Sequence, residues 1–348
     1  MDNLPFPAIP FVPLTTQDAE QLIARRAGET KLGEALHVAE GEDWLDNLNA
    51  HPAGIVILGI PEDIGVRANY GIGGVRTLWP AFLKALLNVQ NDPMLRAENV
   101  LVAGAFDCSA LYKHLQDCDD TELLRNAVAA IDEAVWPLIR KISETGKTPV
   151  IIGGGHNNAY PIMKGCSLAL GKPLGVVNID PHTDFRQPEG RHSGNGFRYA
   201  FDEGLLARYA VPFLHRNYNN PAILKELEGQ PDHFYAAFFD GLLLDVQKAI
   251  TSRMYAVQRH LDKLPVGVEI DLDSIPGVLA SAATPTGLSM EDVRKALILL
   301  CVLPDRPPVY LHICEGAAVL DDGRADPLAG KRVAYFVTDF LRAVSGNK

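Results

Sequence analysis

The chain has 348 residues, of which 47% are apolar and 22% are charged, and this composition excludes a largely disordered protein. The formal net charge of −11 argues against broad binding to nucleic acids or anionic membranes, because both need clustered lysine and arginine. The 5 cysteines include no CxxC pair, which disfavours a disulfide framework or a cysteine-ligated zinc site and favours reduced thiols in the cytoplasm.

Residues 1–50 are predicted to form an N-terminal extension with one or two helices, packed on a single domain that spans residues 51–348. The segment begins acidic and carries prolines through its apolar part, so it does not resemble a signal peptide. No apolar run in the chain approaches the ~20 residues needed to span a membrane. No internal repeat or linker divides the rest of the chain, which favours one domain.

Short apolar runs then alternate with helical patterns. The runs, most of them rich in Val and Ile, cover residues 54–59, 100–104, 149–152, 174–179, 265–270 and 309–313. They lack a clean polar alternation, which is typical of strands buried on both faces. Helical patterns cover residues 120–144, 290–301 and 328–344. The alternation predicts an α/β fold with a parallel sheet and helices on both faces, and we assign no element between about 200 and 260.

Polar clusters follow four of these runs, at the point where each predicted strand ends. They contain His156 after the third run, Asp180, His182 and Asp184 after the fourth, Asp271 and Asp273 after the fifth, and Glu315 after the sixth. In parallel sheets ligands bind at the carboxyl ends of strands, so the four clusters should meet in one crevice. Taken singly, an Asp-x-Asp pair is commonly a turn or a helix cap, and a glycine before a histidine is commonly a turn.

Taken together, the clusters indicate a binuclear metal site. Carboxylates packed at one edge of a sheet would repel one another unless cations neutralise them. Four aspartates and two histidines form an oxygen-rich donor set that suits Mn²⁺, while Zn²⁺, Fe²⁺ and Co²⁺ stay open as alternatives. Two such ions can supply a hydroxide nucleophile at neutral pH, so the pattern predicts a binuclear metallohydrolase.

The ordered motifs GGGH, DPHTD and DLD, with a late glutamate in HICEG, resemble those of the arginase/agmatinase/formimidoylglutamase (ureohydrolase) family. The resemblance implies a three-layer α/β/α sandwich around a mostly parallel eight-stranded sheet. It also implies that one ion is held by His156, Asp180, Asp184 and Asp271, and the other by His182, Asp180, Asp271 and Asp273. Asp273 would also transfer a proton, and Glu315 would receive the cationic group of the substrate.

Two departures from arginases make the chain most similar to formimidoylglutamases within that family. Arginases carry a proton-transfer histidine shortly after a Ser-Gly-Asn segment, where this chain has Phe197, and they lack an arginine at the position of Arg186. Arg186 would bind a substrate carboxylate, with Ser193 and Asn195 as further substrate contacts. A third departure is Gly155, where most members have an aspartate that supports the ligands.

Three further features have both a functional and an ordinary interpretation. His192 is a candidate for the missing proton-transfer role, although loop histidines are commonly only solvated. The run of residues 215–220 is predicted to be a surface loop, with the mouth of the site or a subunit contact as alternatives. His312 is predicted to be a hydrogen-bonded core histidine.

The resemblance implies hydrolysis of N-formimidoyl-L-glutamate to L-glutamate and formamide, a step of histidine degradation, by a cytoplasmic homo-oligomer that uses two Mn²⁺. A guanidino hydrolase that releases urea is the alternative within this reaction class. A non-catalytic family member and a two-metal phosphoesterase are the alternatives from other classes. Retention of all the metal ligands argues against the first, and the order of the motifs argues against the second.

Overall fold

A computed structural model describes residues 6–41, 43–243, 246–303 and 306–345, and its core is a 10-stranded sheet. The strands are β1 (Phe11–Pro13), β2 (His37–Val38), β3 (Ile55–Gly59), β4 (Val100–Phe106), β5 (Thr148–Ile152), β6 (Leu174–Ile179), β7 (Leu206–Leu214), β8 (Phe234–Phe238), β9 (Val266–Asp271) and β10 (Tyr310–Cys314). All six runs predicted to be strands are therefore strands, with bounds that differ by at most two residues.

The strands lie in the order β1-β4-β3-β5-β10-β9-β6-β7-β8. From β4 to β8 every pairing is parallel, which gives the predicted eight-stranded parallel sheet. The short strands β1 and β2 both pair with β4, β1 in the antiparallel direction, and extend this sheet beyond the predicted strands. Four strands that precede the polar clusters, β5, β10, β9 and β6, are consecutive neighbours at its centre.

Helices cover both faces of the sheet. They are α1 (Thr16–Leu22), α2 (Ile64–Arg67), α3 (Leu78–Leu87), α4 (Ser109–Leu115), α5 (Thr121–Glu144), α6 (Ala159–Leu170), α7 (Gly196–Asp202), α8 (Pro221–Glu228), α9 (Val246–Leu261), α10 (Met290–Val302) and α11 (Ala329–Ser345). One apolar core joins the sheet to α3, α9, α10 and α11, and a second joins it to α4 through α8. The predicted three-layer α/β/α sandwich is confirmed.

Side chains cap the N-termini of two of the predicted helices. The Asp120 carboxylate accepts the backbone N–H groups of Glu122 and Leu123 and caps α5. Ser289 and Asp292 form a capping box at the start of α10, in which each side chain accepts the other residue's backbone N–H. None of the described helices is long and apolar enough to cross a membrane.

The strands β7 and β8 lie in the stretch to which the sequence assigned no element. Arg208 and Tyr209 interrupt the apolar run of β7, and Pro212 falls where the register between β7 and β8 shifts. Proline cannot donate to a neighbouring strand, which explains the irregularity there. Pairing with the buried strand β6 nevertheless fixes β7 as a strand, so tertiary contacts override a weak local pattern.

The described residues before position 51 pack on the same cores as the rest of the chain. Leu14, Ala19 and Leu32 belong to the core that contains α3, and Leu14 donates its N–H to the carbonyl of Ala103 in β4. These contacts tie the segment to the sheet edge. The boundary at residue 51 between an extension and a single domain stays a prediction.

Candidate metal centre and substrate cavity

The four predicted clusters meet at one edge of the sheet. Ile313 of β10 pairs with Ile152 of β5 on one side and with Ile270 of β9 on the other, and Ile270 pairs with Ile179 of β6. The strands are parallel and in step, so the residues that follow them emerge side by side. The convergence that the sequence predicted is therefore confirmed.

One group of side chains surrounds His156, which is fully buried. Its Nδ1 atom lies 2.8 Å from Asp184 Oδ2, 3.2 Å from Asp271 Oδ2 and 3.3 Å from Asp180 Oδ2. None of these contacts has hydrogen-bond geometry, so Nδ1 has no hydrogen-bond partner among the described residues. A ring nitrogen carries at most one proton and cannot serve three carboxylates. A cation at this position would satisfy the histidine nitrogen and the three carboxylates together.

A second group consists of His182, Asp271 and Asp273, each with a ligand atom within 4.8 Å of the others. Asp180 connects the two groups, because its Oδ1 lies 3.3 Å from His182 Nδ1 while its Oδ2 faces His156. Asp271 belongs to both groups. Asp180 and Asp271 thus occupy the position of carboxylates shared between two ions.

Local backbone turns hold these shared carboxylates in place. Asp180 Oδ1 accepts the N–H of His182 at 2.6 Å, and Asp271 Oδ1 accepts the N–H of Asp273 at 2.7 Å. A side chain that bonds to the amide two residues later is the usual Asx turn, so the ordinary and the functional interpretations of the Asp-x-Asp pattern are both correct. Asn178 adds a bond of 2.8 Å to Asp180 Oδ2 from within β6.

The protein groups alone do not favour a fully ionised set of carboxylates. Burial and the charge of Asp180 raise the pKa of Asp271 to about 6, and burial with the charge of Asp271 raises the pKa of Asp273 well above its usual range. Burial disfavours the charged form of His182, but its contact with the Asp180 carboxylate outweighs this and raises its pKa to about 9. Cations would remove the repulsion, so the donor set fits two divalent ions.

A cavity of about 680 Å³ opens above both groups. Its floor is formed by His182, Asp184, Asp271, Asp273 and Glu315, and its mouth by Tyr70, Arg186, Glu189, Tyr218 and Glu226 among others. Arg186 is exposed, and its guanidinium has no hydrogen-bond or ion-pair partner among the described residues. The cavity therefore combines a buried acidic floor with a cation at the mouth.

Glu315 is buried at the floor beside the second group. Its Oε1 accepts the backbone N–H of His156 at 2.7 Å, and its Oε2 accepts the hydroxyl of Ser281. Burial, with the nearby charge of Asp271, raises the pKa of Glu315 to about 8. A cationic ligand in the cavity would favour its ionised form.

Of the three substrate contacts predicted in the loop after Asp184, two lie at the cavity and one does not. Arg186 and Ser193 line the cavity, and Ser193 Oγ accepts a bond of 3.2 Å from Asn69 Nδ2. Asn195 does not line the cavity: it is fully buried, and its Oδ1 accepts from Arg191 Nη1 at 2.7 Å. The structure therefore gives Asn195 a role in holding the loop and no contact with the cavity.

His192 also holds the loop. Its Nδ1 accepts the N–H of Gly194 at 3.1 Å, and its Nε2 lies 3.2 Å from Glu189 Oε1. Burial lowers the pKa of His192 to about 4, and the side chain is not part of the cavity lining. The structure therefore gives no support to the proton-transfer role predicted for His192. His312 hydrogen-bonds Glu269 in the core, as predicted.

Several residues around the cavity were either not predicted to line it or were given that position only as an alternative. Tyr218 and Asn219 line its mouth, and Asn219 is buried, so the prediction of an ordinary surface loop at residues 215–220 is wrong and the alternative of a mouth-lining run is correct. Ser281 comes from a segment without a recognised motif, and Asn69 lies in the glycine-rich segment 59–75. The asparagines of the 215–220 run were the available signal, because the few polar groups that line a pocket include asparagine amides.

Glu62 is another residue near the site that was not predicted from the sequence. Its Oε1 accepts the N–H of Gly155 at 2.9 Å and Asn158 Nδ2 at 2.7 Å. A side chain at Gly155 would have its Cβ 2.5 Å from Asn157 Oδ1, so the position has room only for glycine. Glu62, from the loop after β3, thus supplies a carboxylate that holds the backbone next to His156. The acidic pair Glu62-Asp63 in the glycine-rich segment 59–75 was the available signal.

The chain matches the Arginase family over residues 53–336. It is 29% identical over 293 residues to a formimidoylglutamase of Geobacillus thermodenitrificans, a match that covers 82% of each chain. It is 30% identical over 274 residues to a formimidoylglutamase of a Geobacillus species, covering 77% of this chain and 78% of the relative. The fold is similar to that of Trypanosoma cruzi formiminoglutamase with Mn²⁺, with a TM-score of 0.71 at 20% identity over 91% of this chain and 99% of the other.

Proposed function

Because the chain belongs to the arginase family, we propose that it hydrolyses N-formimidoyl-L-glutamate to L-glutamate and formamide. The observation that carries the proposal is one cavity with a floor of four carboxylates and His182 and with an arginine at its mouth. A substrate with a cationic amidine at one end and carboxylates at the other matches this distribution of charge. The relatives named formimidoylglutamase support the same substrate.

The proposed cofactor is a pair of Mn²⁺ ions. The residues that would hold them are His156, Asp180, Asp184 and Asp271 for one ion, and His182, Asp180, Asp271 and Asp273 for the other. When bound, the ions would supply Lewis acidity and lower the pKa of water at the site toward neutrality.

Two carboxylates at the floor have separate proposed tasks. Asp273 faces the cavity. It would take a proton from the water that attacks the amidine carbon and then give that proton to the leaving nitrogen. Glu315 would accept hydrogen bonds from the amidine, and its two existing bonds fix the carboxylate in the orientation that this needs. Both acids lie on the backbone just after central strands, so their separation is set by the sheet.

The mouth is proposed to bind the carboxylate end of the substrate. The Arg186 guanidinium offers paired N–H donors that match a carboxylate in shape, and Ser193 also lines the cavity. Agmatine has no carboxylate and would leave Arg186 without a partner. The mouth therefore favours an amino-acid derivative over a simple amine.

The test is turnover of the Mn²⁺-loaded protein on formimidoylglutamate, arginine, agmatine and small guanidino acids, with formamide and urea measured separately. We expect formamide from the first substrate and no urea from the others. Release of urea would contradict the substrate and leave the metal centre intact. We further propose that the protein acts in the cytoplasm as a homo-oligomer, which light scattering of the purified chain would test.

A further inference from the structure

A buried polar cluster lies behind His156, on the side of the ring away from the aspartates. His156 Nε2 is 3.5 Å from Glu269 Oε2, and the same oxygen is 2.6 Å from His312 Nδ1. The hydroxyl of Tyr310 donates to Glu269 Oε1 at 2.8 Å. All four side chains are fully buried, and the activity proposed above assigns no task to Glu269, His312 or Tyr310.

The sheet itself builds this cluster. Glu269 of β9 and His312 of β10 are register partners on neighbouring parallel strands, so their side chains lie side by side. An ionised carboxylate inside a core is costly unless its oxygens are hydrogen-bonded, and here His312 and Tyr310 satisfy both oxygens. His312 and Tyr310 thus hold the buried Glu269 carboxylate in one position.

The position of Glu269 relates to the tautomer of His156. A neutral imidazole carries one proton, so a ring whose Nδ1 offers its lone pair to a metal ion carries the proton on Nε2. Among the described residues Nε2 has no hydrogen-bond partner, and the carboxylate oxygen that lies 3.5 Å from it belongs to Glu269. A carboxylate at this position favours the proton on Nε2 and increases the basicity of Nδ1.

The same cluster is not itself a second metal site. His156, Glu269, His312 and Cys314 have ligand atoms within 4.8 Å of one another. The separation of 2.6 Å between Glu269 Oε2 and His312 Nδ1 is that of a hydrogen bond and leaves no space for an ion between those atoms. The cluster therefore acts through His156.

We propose that Glu269 is a positioning residue, which fixes the tautomer and the ring orientation of His156 as a metal ligand and is itself held by His312 and Tyr310. The proposal rests on the metal centre proposed above. Glu269 lies inside β9, two residues before Asp271. Through His156 it would affect the ion that His156 and Asp184 would hold.

The test is the affinity of the metal-free full chain for Mn²⁺, measured by electron paramagnetic resonance of the free ion during titration. The variant is Glu269→Gln, which keeps the size of the side chain and removes its charge. We expect affinity for one of the two ions to fall about 10- to 100-fold, with the other ion bound nearly as before. Unchanged affinity for both ions in a folded variant would overturn the proposal.

Two further variants separate positioning from stability. Asp339→Asn removes the charge of a carboxylate that is also buried and paired, with Arg294, in the helical layer, and we expect it to leave both affinities unchanged. The double variant Glu269→Gln/His312→Gln keeps an amide pair in the core. We expect it to recover thermal stability lost by Glu269→Gln and not the Mn²⁺ affinity, whereas recovery of both would show a merely structural role.

This readout also separates the proposal from the function on which it rests. An unaltered chain that binds two Mn²⁺ and hydrolyses none of the amidines would contradict the substrate alone, and the affinity of the Glu269 variant would still decide the role of the acid. An unaltered chain that binds no Mn²⁺ would contradict the metal centre, and the positioning role would fall with it.

Discussion

The floor and the mouth of the cavity are built in different ways. At the floor, Asp271 and Glu315 lie at or just after the ends of central buried strands and accept backbone N–H groups, as does Asp180 beneath the floor. At the mouth, Tyr70 is 78% exposed and Tyr218 is 41% exposed, and both project from loops, as does Arg186. The floor is held by the sheet, whereas each mouth residue is held by its own loop.

This difference separates two kinds of effect. A change at the floor removes a partner from several buried polar groups at once, so it should alter metal binding and turnover together. A change at the mouth removes an exposed side chain with few partners, so it should alter substrate affinity and leave the fold unaffected. Variants in the two regions can therefore be told apart by which quantity changes.

The largest effect is expected at the floor from Asp271→Ala. Asp271 lies in both ligand groups, so its loss should weaken both ions and lower kcat by at least about a thousandfold. Bound Mn²⁺ and kcat are measured together after dialysis. Asp262→Ala, at a side chain that is 61% exposed, is the control. Retention of both metal content and turnover in Asp271→Ala would refute the assignment of this residue as a shared ligand.

The next effect is expected at the mouth from Arg186→Ala. Loss of the guanidinium should raise KM for formimidoylglutamate about 10- to 100-fold, the equivalent of one charge-assisted hydrogen-bonded pair, with little change in kcat. Steady-state kinetics of Arg186→Ala and Arg186→Lys would measure this, with partial recovery expected for lysine. A loss confined to kcat would place Arg186 with the floor and break the distinction between the regions.

A pH effect should separate the floor with and without its ions. The folded chain keeps protons on Glu315 up to about pH 8 and on His182 up to about pH 9, above their unfolded values. Because the folded state then binds more protons than the unfolded state, stability falls as pH rises between about pH 5 and pH 9. Calorimetry should show Tm of the metal-free protein falling by several degrees over this range.

The same measurement on the Mn²⁺-loaded protein is its control. Bound cations favour the ionised carboxylates, so the decline of Tm with rising pH should be smaller. Equal declines in the two samples would mean that the carboxylates at the floor do not hold the added ions.

The smallest effect is expected from His192→Asn, which tests whether His192 only holds the loop. His192 caps the short helical turn at Ser193–Asn195, and asparagine is a good residue at such a position. We expect kcat/KM to change by less than about threefold and its pH profile to keep its shape. A large loss of kcat with an altered pH profile would restore the proton-transfer role.

The strand ends that form the floor were predicted from the sequence, whereas only some residues of the mouth, such as Arg186 and Ser193, were predicted from it. An apolar run of Val and Ile that ends in Asp or His is a local pattern, and it identified both the strands and the residues that follow them. The position of a loop residue depends on contacts made elsewhere, such as the bond from Arg191 to Asn195. Asn195 was predicted as a substrate contact because the Ser-Gly-Asn segment is retained, and His192 was predicted as a replacement for the missing proton-transfer histidine. Neither residue lines the cavity.

The amino-acid sequence was sufficient to predict the strand ends, the donor set for two ions, the helices α5 and α10 and the resemblance to a family. These are properties of short segments, because side-chain alternation and capping act within a few residues. Three features became visible in the folded chain alone: β5, β10, β9 and β6 lie side by side, Glu62 holds the loop before His156, and Glu269 lies behind the His156 ring. Those contacts join residues far apart in the chain, and their geometry follows from the packing of the whole sheet.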